Sequence, residues 1–221
     1  KTVKSNCLAT THPKLAQEWY SEKNGELTAQ DVTSGSHKFA WWKCPQSDDH
    51  IWRAQIKSRA SGRGCPMCAG YKVVESNCLA KTHPELAREW HTEKNGTLTP
   101  YDVTSGSHKV VWWKCNKGAD HEWKTSIAKR SIGRMCPICS GQKVVLSNCL
   151  ATLNPKLAEE WHPSRNGDLT PNDVTVGTDK KVWWKCDKGE DHEWKTSVGE
   201  RSRGKKCPIC SGQKVVLSNC L

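Results

Sequence analysis

The sequence predicts small α+β repeats joined in tandem, not one globular core. Three observations lead there. A strict 71-residue period runs through the chain, a Cys/His set recurs in register with it, and only 35% of the residues are apolar. Globular chains usually reach roughly 45–50%, so one large interior is excluded.

The period comes first, because it sets the domain plan. Cys7, Cys78, Cys149 and Cys220 are each 71 residues apart, as are Trp41, Trp112 and Trp183. The repeats are 1–71, 72–142 and 143–213, and 214–221 begins a fourth or forms a C-terminal joint. Four Cys per repeat plus Cys220 account for all 13, and four Trp per repeat for all 12. The octet Lys1–Leu8 returns as Lys72–Leu79, Lys143–Leu150 and Lys214–Leu221. Four copies bounding three repeats mark it as a joint packed against both neighbours. No Gly/Ser or Pro-rich linker intervenes, so a semi-rigid array is expected. The chain begins at Lys1, not Met, and further domains of a longer parent protein are expected.

The second repeat illustrates the elements. Lys72–Glu75 reads as a strand. Pro84 suits the first turn of a helix, so 84–91 is expected to be helical, with Leu86, Ala87 and Trp90 on one face. Asn95-Gly96 marks a turn. Thr99-Pro100-Tyr101-Asp102 has capping-box character. Val110–Cys115 and Glu122–Ile127 read as two strands with a knuckle between them. Units of this size hold a small core. Four Trp enlarge it, yet a staple is still expected.

The cysteines supply that staple. Each repeat carries Cys-x5-His followed by Cys-x2-Cys: Cys44, His50, Cys65 and Cys68; Cys115, His121, Cys136 and Cys139; Cys186, His192, Cys207 and Cys210. Three thiolates and an imidazole suit tetrahedral zinc and leave no open position, so three structural zinc ions are expected, one per repeat. A disulfide framework would leave the odd cysteine and the in-register His unexplained. Asp49, Asp120 and Asp191 precede each His and are the alternative fourth ligands. Cys7, Cys78, Cys149 and Cys220 read as small buried thiols.

These residues support a resemblance. Leu86-Ala87-Arg88-Glu89-Trp90-His91, Lys94-Asn95-Gly96, Leu98-Thr99-Pro100, Asp102-Val103, Gly106-Ser107, Trp112-Trp113-Lys114-Cys115, His121-Glu122-Trp123, Arg130 and Cys136-Pro137-Ile138-Cys139 follow in one order. Each repeat thereby resembles the probable zinc-ribbon domain of treble-clef type, a tandem family of microbial and viral proteins. The knuckle between Cys115 and His121 is longer than the family's pattern. The resemblance implies treble-clef or zinc-ribbon-like units and modules found beside endonuclease-like domains, hence nucleic-acid recognition.

Charge points the same way. The formal net charge is +11, which favours an acidic partner such as nucleic acid. Three sites of charge −1 would lower it to about +8. No acid lies between Asp49 and Glu75, or between Glu122 and Glu159. The cations gather on each second strand and the following loop. The candidate nucleic-acid contacts are Arg53, Gln55, Lys57, Arg59 and Arg63; Lys124, Ser126, Lys129, Arg130 and Arg134; and Lys195, Ser197, Arg201, Arg203, Lys205 and Lys206. Strand alternation places Trp52, Ala54 and Ile56 inward and Arg53, Gln55 and Lys57 outward. The first of the outward set stays cationic in every copy, as a phosphate contact would, while the others vary, as base-reading positions would.

The leading expectation is a tandem zinc-finger array that binds nucleic acid, duplex DNA ahead of RNA, as the recognition module of a larger protein. The alternative is a protein-interaction scaffold built from structural zinc modules. Catalysis within this segment is not expected. The only His that recurs in register is a zinc ligand: His12 and His83 become Asn154, and His37 and His108 become Asp179. No repeated base, nucleophile or open metal position remains. Free thiols beside zinc thiolates imply an intracellular, reducing compartment, cytoplasm and nucleoid or nucleus. No apolar run reaches the ~18 residues of a membrane span.

Overall fold

The structure, a computed structural model, describes residues 2–220. Lys1 and Leu221 lie outside the described residues. Two compact units emerge: Lys1–Trp112 with Lys124–Gly133, and Trp113–Trp123 with Arg134–Leu221. The boundary therefore runs through the second repeat.

In the first unit the chain enters each repeat through two short helices. They span Leu8–Thr11 and Pro13–Ala16, then Leu79–Thr82 and Pro84–Arg88. Pro13 and Pro84 occupy the first helical turn, where a missing N–H costs nothing. The second helix ends at Arg88, not at position 91, and the helix at Leu79–Thr82 was not legible in the sequence. Asn95-Gly96 turns as expected, with Gly96 at a φ of 60° that favours glycine. Its asparagine does more than turn. Asn95 Nδ2 donates to the Trp112 carbonyl at 2.9 Å, and its Oδ1 accepts from the Trp112 N–H at 2.8 Å. Asn24 holds Trp41 in the same way.

The first hairpin pairs β1 (Phe39–Lys43) with antiparallel β2 (Ile51–Gln55), placing Trp41 opposite Arg53 and Trp42 opposite Trp52. Alternation sends Ala40 and Trp42 into the core and leaves Trp41 half-buried on the other face. Trp42 donates Nε1–H to the Ala54 carbonyl at 3.2 Å. The Trp19 ring meets it edge-on, 5.3 Å between centroids, the arrangement aromatic quadrupoles favour. Leu8, Val32, Ile56 and Met67 complete this core.

The second strand is shorter than alternation predicts. Helices take over at Ile56–Ala60 and Ile127–Ser131. The reason is partner supply. The Ile56 and Lys57 N–H groups bond to the carbonyls of Lys38 and Ser36, in the loop ahead of β1, so the ladder has no further rung. Ser126 consequently sits at a helix N-cap and is buried, as does Ser197. Neither offers an outward face to a base, which corrects their assignment as nucleic-acid contacts.

Those helices also redirect an arginine. Arg59 lies 5.3 Å from the Trp42 ring and 5.1 Å from the Trp52 ring, and its Nη2 meets Glu18 Oε2 at 2.5 Å. In the second repeat Arg130 pairs with Glu89. Both arginines are buried. Their guanidinium groups are spent inside the fold, so Arg59 and Arg130 leave the set of candidate nucleic-acid contacts.

The second unit contains the remaining hairpin, β5 (Lys181–Lys185) against β6 (Glu193–Ser197); β3 (Val110–Lys114) and β4 (Glu122–Ser126) belong to the second repeat. The third core repeats the first. Trp161 meets Trp184 edge-on at 5.5 Å. Arg201, on the helix Val198–Ser202, lies between Trp184 and Trp194 and pairs with Glu160, so it too is a core residue and not a phosphate contact.

The octets are not strands. Lys72–Val74 is irregular, and a 3-10 turn follows at Glu75–Asn77, repeated at Leu146–Asn148 and Leu217–Asn219. The asparagine closes each turn on itself: Asn77 Oδ1 accepts from the Val74 N–H at 2.8 Å. The cysteine then starts the next helix. Cys7, Cys78 and Cys149 are buried, small thiols as read from the sequence, whereas Cys220 is exposed, which corrects the reading there.

Arg201→Ala is expected to lower the stability of the zinc-loaded chain by about 2–3 kcal/mol in denaturant titration. Breaking a buried pair typically costs about 3–5 kcal/mol, and the exposed part of Glu160 softens that. Arg201→Lys should recover little, because the planar fork is lost.

Candidate metal centres

Each centre draws on three places in the chain. The end of the first strand supplies one thiolate, the knuckle supplies the imidazole, and Cys-Pro-x-Cys supplies two more sulfurs. The last of these forms a tight turn in which the Gly70 and Tyr71 N–H groups bond back to Met67 and Pro66. The strand is tied to the knuckle by the Cys44 N–H, which donates to the His50 carbonyl at 3.0 Å.

The structure brings together Cys44, His50, Cys65 and Cys68; Cys115, His121, Cys136 and Cys139; and Cys186, His192, Cys207 and Cys210, with all ligand atoms of a set within 4.8 Å of one another. Cys44 and Cys68 sulfurs are 3.6 Å apart, and His50 Nδ1 lies 3.7 Å from Cys65 Sγ and 3.4 Å from Cys68 Sγ. In the second set Cys115 and Cys139 are 3.7 Å apart, and in the third Cys186 and Cys210 are 3.6 Å apart. Zn–S near 2.3 Å and Zn–N near 2.0–2.1 Å at tetrahedral angles put neighbouring ligand atoms about 3.5–3.8 Å apart. The sets fit a zinc ion. They are too wide for a disulfide, whose sulfurs stand about 2.05 Å apart, and all 13 cysteines are free thiols.

Electrostatics favours a cation among the sulfurs once they ionise. Burial first, then the neighbouring sulfurs, push the Cys68, Cys139 and Cys186 thiols up to about 12. Three thiolates in such a space need a cation between them, and zinc binding would release their protons. In each set three ligands are buried and the last cysteine is exposed.

The aspartate alternative falls away. Asp49 turns from the sulfurs toward the next octet, accepting the Ser76 N–H at 2.9 Å on Oδ2 and the Ser76 hydroxyl at 2.7 Å on Oδ1. Those two bonds hold its carboxyl down at about 2. Asp120 and Asp191 accept the same pair of bonds from Ser147 and Ser218, and both are lowered for that reason. The Ser76 hydroxyl also meets His50 Nε2 at 3.1 Å, and Ser147 meets His121 Nε2 at 3.2 Å. Beside each serine, an asparagine grips the Cys-Pro-x-Cys turn: Asn77 donates to the Met67 carbonyl at 2.9 Å, Asn148 to Ile138 at 2.9 Å and Asn219 to Ile209 at 3.2 Å. The octet also enters the repeat that follows it, where Leu79 N–H bonds to the Val103 carbonyl and Leu150 N–H to Val174. The sequence marked these octets as joints but missed the Ser-Asn pair. Its presence in all four copies was the available signal.

The comparisons fit this geometry. Residues 15–71, 86–142 and 157–213 each match a family described as a probable treble clef zinc finger domain. The chain belongs to that family. No curated protein matches it. Each treble-clef match ends where an octet begins, so the serines and asparagines described above lie beyond the matched segments. No helix of the described residues is long and apolar enough to cross a membrane.

The purified chain should hold three zinc ions by elemental analysis, and Cys136→Ser should lower that to two. Chelation should unfold the treble-clef repeats in circular dichroism, since structural zinc carries apparent binding free energies of about 10–16 kcal/mol. Metal retained by Cys136→Ser at the wild-type level would contradict the ligand set. Zinc uptake should weaken as pH falls, because three thiols must lose protons.

Proposed function

We propose that the treble-clef repeats form a nucleic-acid-binding module, duplex DNA favoured over RNA, that serves as the recognition part of a larger protein in a reducing, intracellular compartment. It binds and does not catalyse: the in-register imidazoles face the sulfurs, and the hydroxyls beside His50 and His121 donate to Asp49 and Asp120.

The observation that carries this reading is the outer face of each hairpin. With Arg59, Arg130 and Arg201 withdrawn into the core, cations still recur there in every copy. Arg53, Lys124 and Lys195 are exposed, and Arg53 and Lys195 stand directly across the strands from Trp41 and Trp183. A second in-register cation comes from the turn before the Asn-Gly pair. Lys23 lies 4.6 Å from the Trp41 ring, Lys94 4.7 Å from Trp112 and Arg165 4.7 Å from Trp183. Lys124 adds to Trp112 at 4.9 Å. Lys23, Lys94 and Arg165 were missed in the sequence, although the period aligns them. Half-buried indoles flanked by cations suit a phosphate backbone with its sugars and bases.

Other cations widen the surface. Lys57, Arg63, Lys129, Arg134, Arg203, Lys205 and Lys206 are exposed, and Gln55 is half-buried; Lys205 is partly engaged by Glu200 at 3.0 Å. A scaffold binding one kind of protein would need a recurring apolar patch. The exposed Ile132 and Met135 are instead replaced by Ser61 and Gly64 in the first repeat and by Arg203 and Lys206 in the third.

Selection from a random duplex DNA library at about 150 mM salt tests the proposal. The zinc-loaded chain should retain DNA, with affinity falling steeply with salt. Replacing Arg53, Lys124 and Lys195 together by Gln should flatten the slope of log affinity against log salt by about three, one per phosphate contact. Zinc content should stay unchanged. Retention of RNA alone would replace duplex DNA as partner, and retention of neither would sink the reading in favour of the scaffold.

A further inference from the structure

The joint octets hold outer-shell chemistry that the period assigns to the wrong repeat. We infer that Ser76 and Ser147 are positioning residues for the metal centres of the repeats before them, so that the zinc affinity of one repeat is set by residues of the next. The inference rests on the zinc assignment above and is independent of the nucleic-acid reading.

The hydrogen bonds have only one consistent direction. Both Asp49 oxygens accept from Ser76, Oδ2 from the N–H and Oδ1 from the hydroxyl. The Ser76 hydroxyl therefore spends its proton on Asp49 Oδ1, at 2.7 Å, and meets His50 Nε2 through its lone pair, at 3.1 Å. His50 must then carry its proton on Nε2. That leaves the Nδ1 lone pair facing the sulfurs, 3.4 Å from Cys68. The chain Asp49–Ser76–His50 thus selects the tautomer that can bind zinc, a role that metal-binding histidines commonly delegate to a carboxylate or carbonyl. Asp120, Ser147 and His121 repeat it with bonds of 2.6 and 3.2 Å. In the third repeat Ser218 makes the same two bonds to Asp191.

The arrangement explains two features left over from the sequence. The aspartate before each His has no place among the ligands, yet it recurs three times. The octet after the third repeat carries the same Ser-Asn pair, which bonds Asp191 and the third Cys-Pro-x-Cys turn. Each treble-clef repeat is chemically whole only when the following octet is counted with it. Metal binding in one repeat and formation of the 3-10 turn leading into the next are therefore coupled: zinc fixes the imidazole that the turn's serine bonds, and the turn returns the proton placement the zinc requires.

The test uses the full zinc-loaded chain and a competing chelator. In wild type the three ions should leave over one range of chelator concentration. In Ser76→Ala one ion in three should leave at roughly 10–100-fold lower competitor strength, the loss typical of outer-shell deletions, with the other two unmoved. Ser76→Thr should restore it, because the hydroxyl is kept. Nitrogen-15 NMR of the loaded wild type should show His50 metal-bound through Nδ1 and protonated at Nε2. Should Ser76→Ala disturb folding, Ser147→Ala supplies the same comparison for the second site, where the hydroxyl meets His121 Nε2 at 3.2 Å. Three ions released as in wild type by both serine variants would overturn the inference, as would metal bound through Nε2. A wild-type chain that takes up no zinc would overturn the metal assignment itself.

Discussion

Four ligand atoms around one cation organise every repeat. The strand end, the knuckle and the Cys-Pro-x-Cys turn are each too short to hold a shape alone, and none has a large apolar face of its own. Zinc ties them at one point, and the remaining order follows from that point. The hairpin is held at its knuckle end, where Cys44 and His50 share a backbone bond as well as the metal site. With its end fixed, the hairpin presents one tryptophan inward and one outward. The inward rings, Trp42, Trp113 and Trp184, are completely buried, so the metal and the aromatic core support each other in units that neither would stabilise by itself.

The basic residues divide by this geometry into two populations. One arginine per repeat is drawn into the core on a short helix and neutralised by a glutamate, between indole rings in the first and third repeats. It contributes to the fold and nothing to the surface. A second group stands on the outer hairpin face, the following loop and the turn before Asn-Gly, around the outward tryptophan. A count of charges cannot separate these populations, because in the first two repeats both sit in the same acid-free stretches of sequence. Only the surface population bears on an acidic partner.

The octets change what a repeat means here. By sequence identity a repeat starts at Lys1, Lys72 or Lys143. By chemistry it extends through the serine and asparagine that follow, which bond the histidine side of the metal centre and the cysteine turn respectively. The same eight residues then open the next repeat through a buried cysteine and leucine. Neighbouring repeats share these residues, with no flexible spacer between them. A disturbance at one metal centre therefore has a direct route to the helix that follows.

Much of this was legible in the sequence. The period, the ligand sets, the Pro-started helices and the Asn-Gly turns follow from spacing and from local chemistry, because a thiolate set or a proline constrains its own few neighbours wherever it occurs. The inward and outward tryptophans follow from strand alternation over Phe39–Lys43. Alternation failed past Gln55, where backbone partners came from the distant Ser36 and Lys38 and a helix replaced the strand. That substitution buried Arg59, Ser126 and Ser197, none of which looks internal in a linear pattern. The sequence alone determined which residues hold the metal and how often the motif recurs. Tertiary structure decided which cations remain at the surface and which serine orients which histidine, since both depend on contacts between segments 26 to 41 residues apart, a separation at which local patterns carry no information.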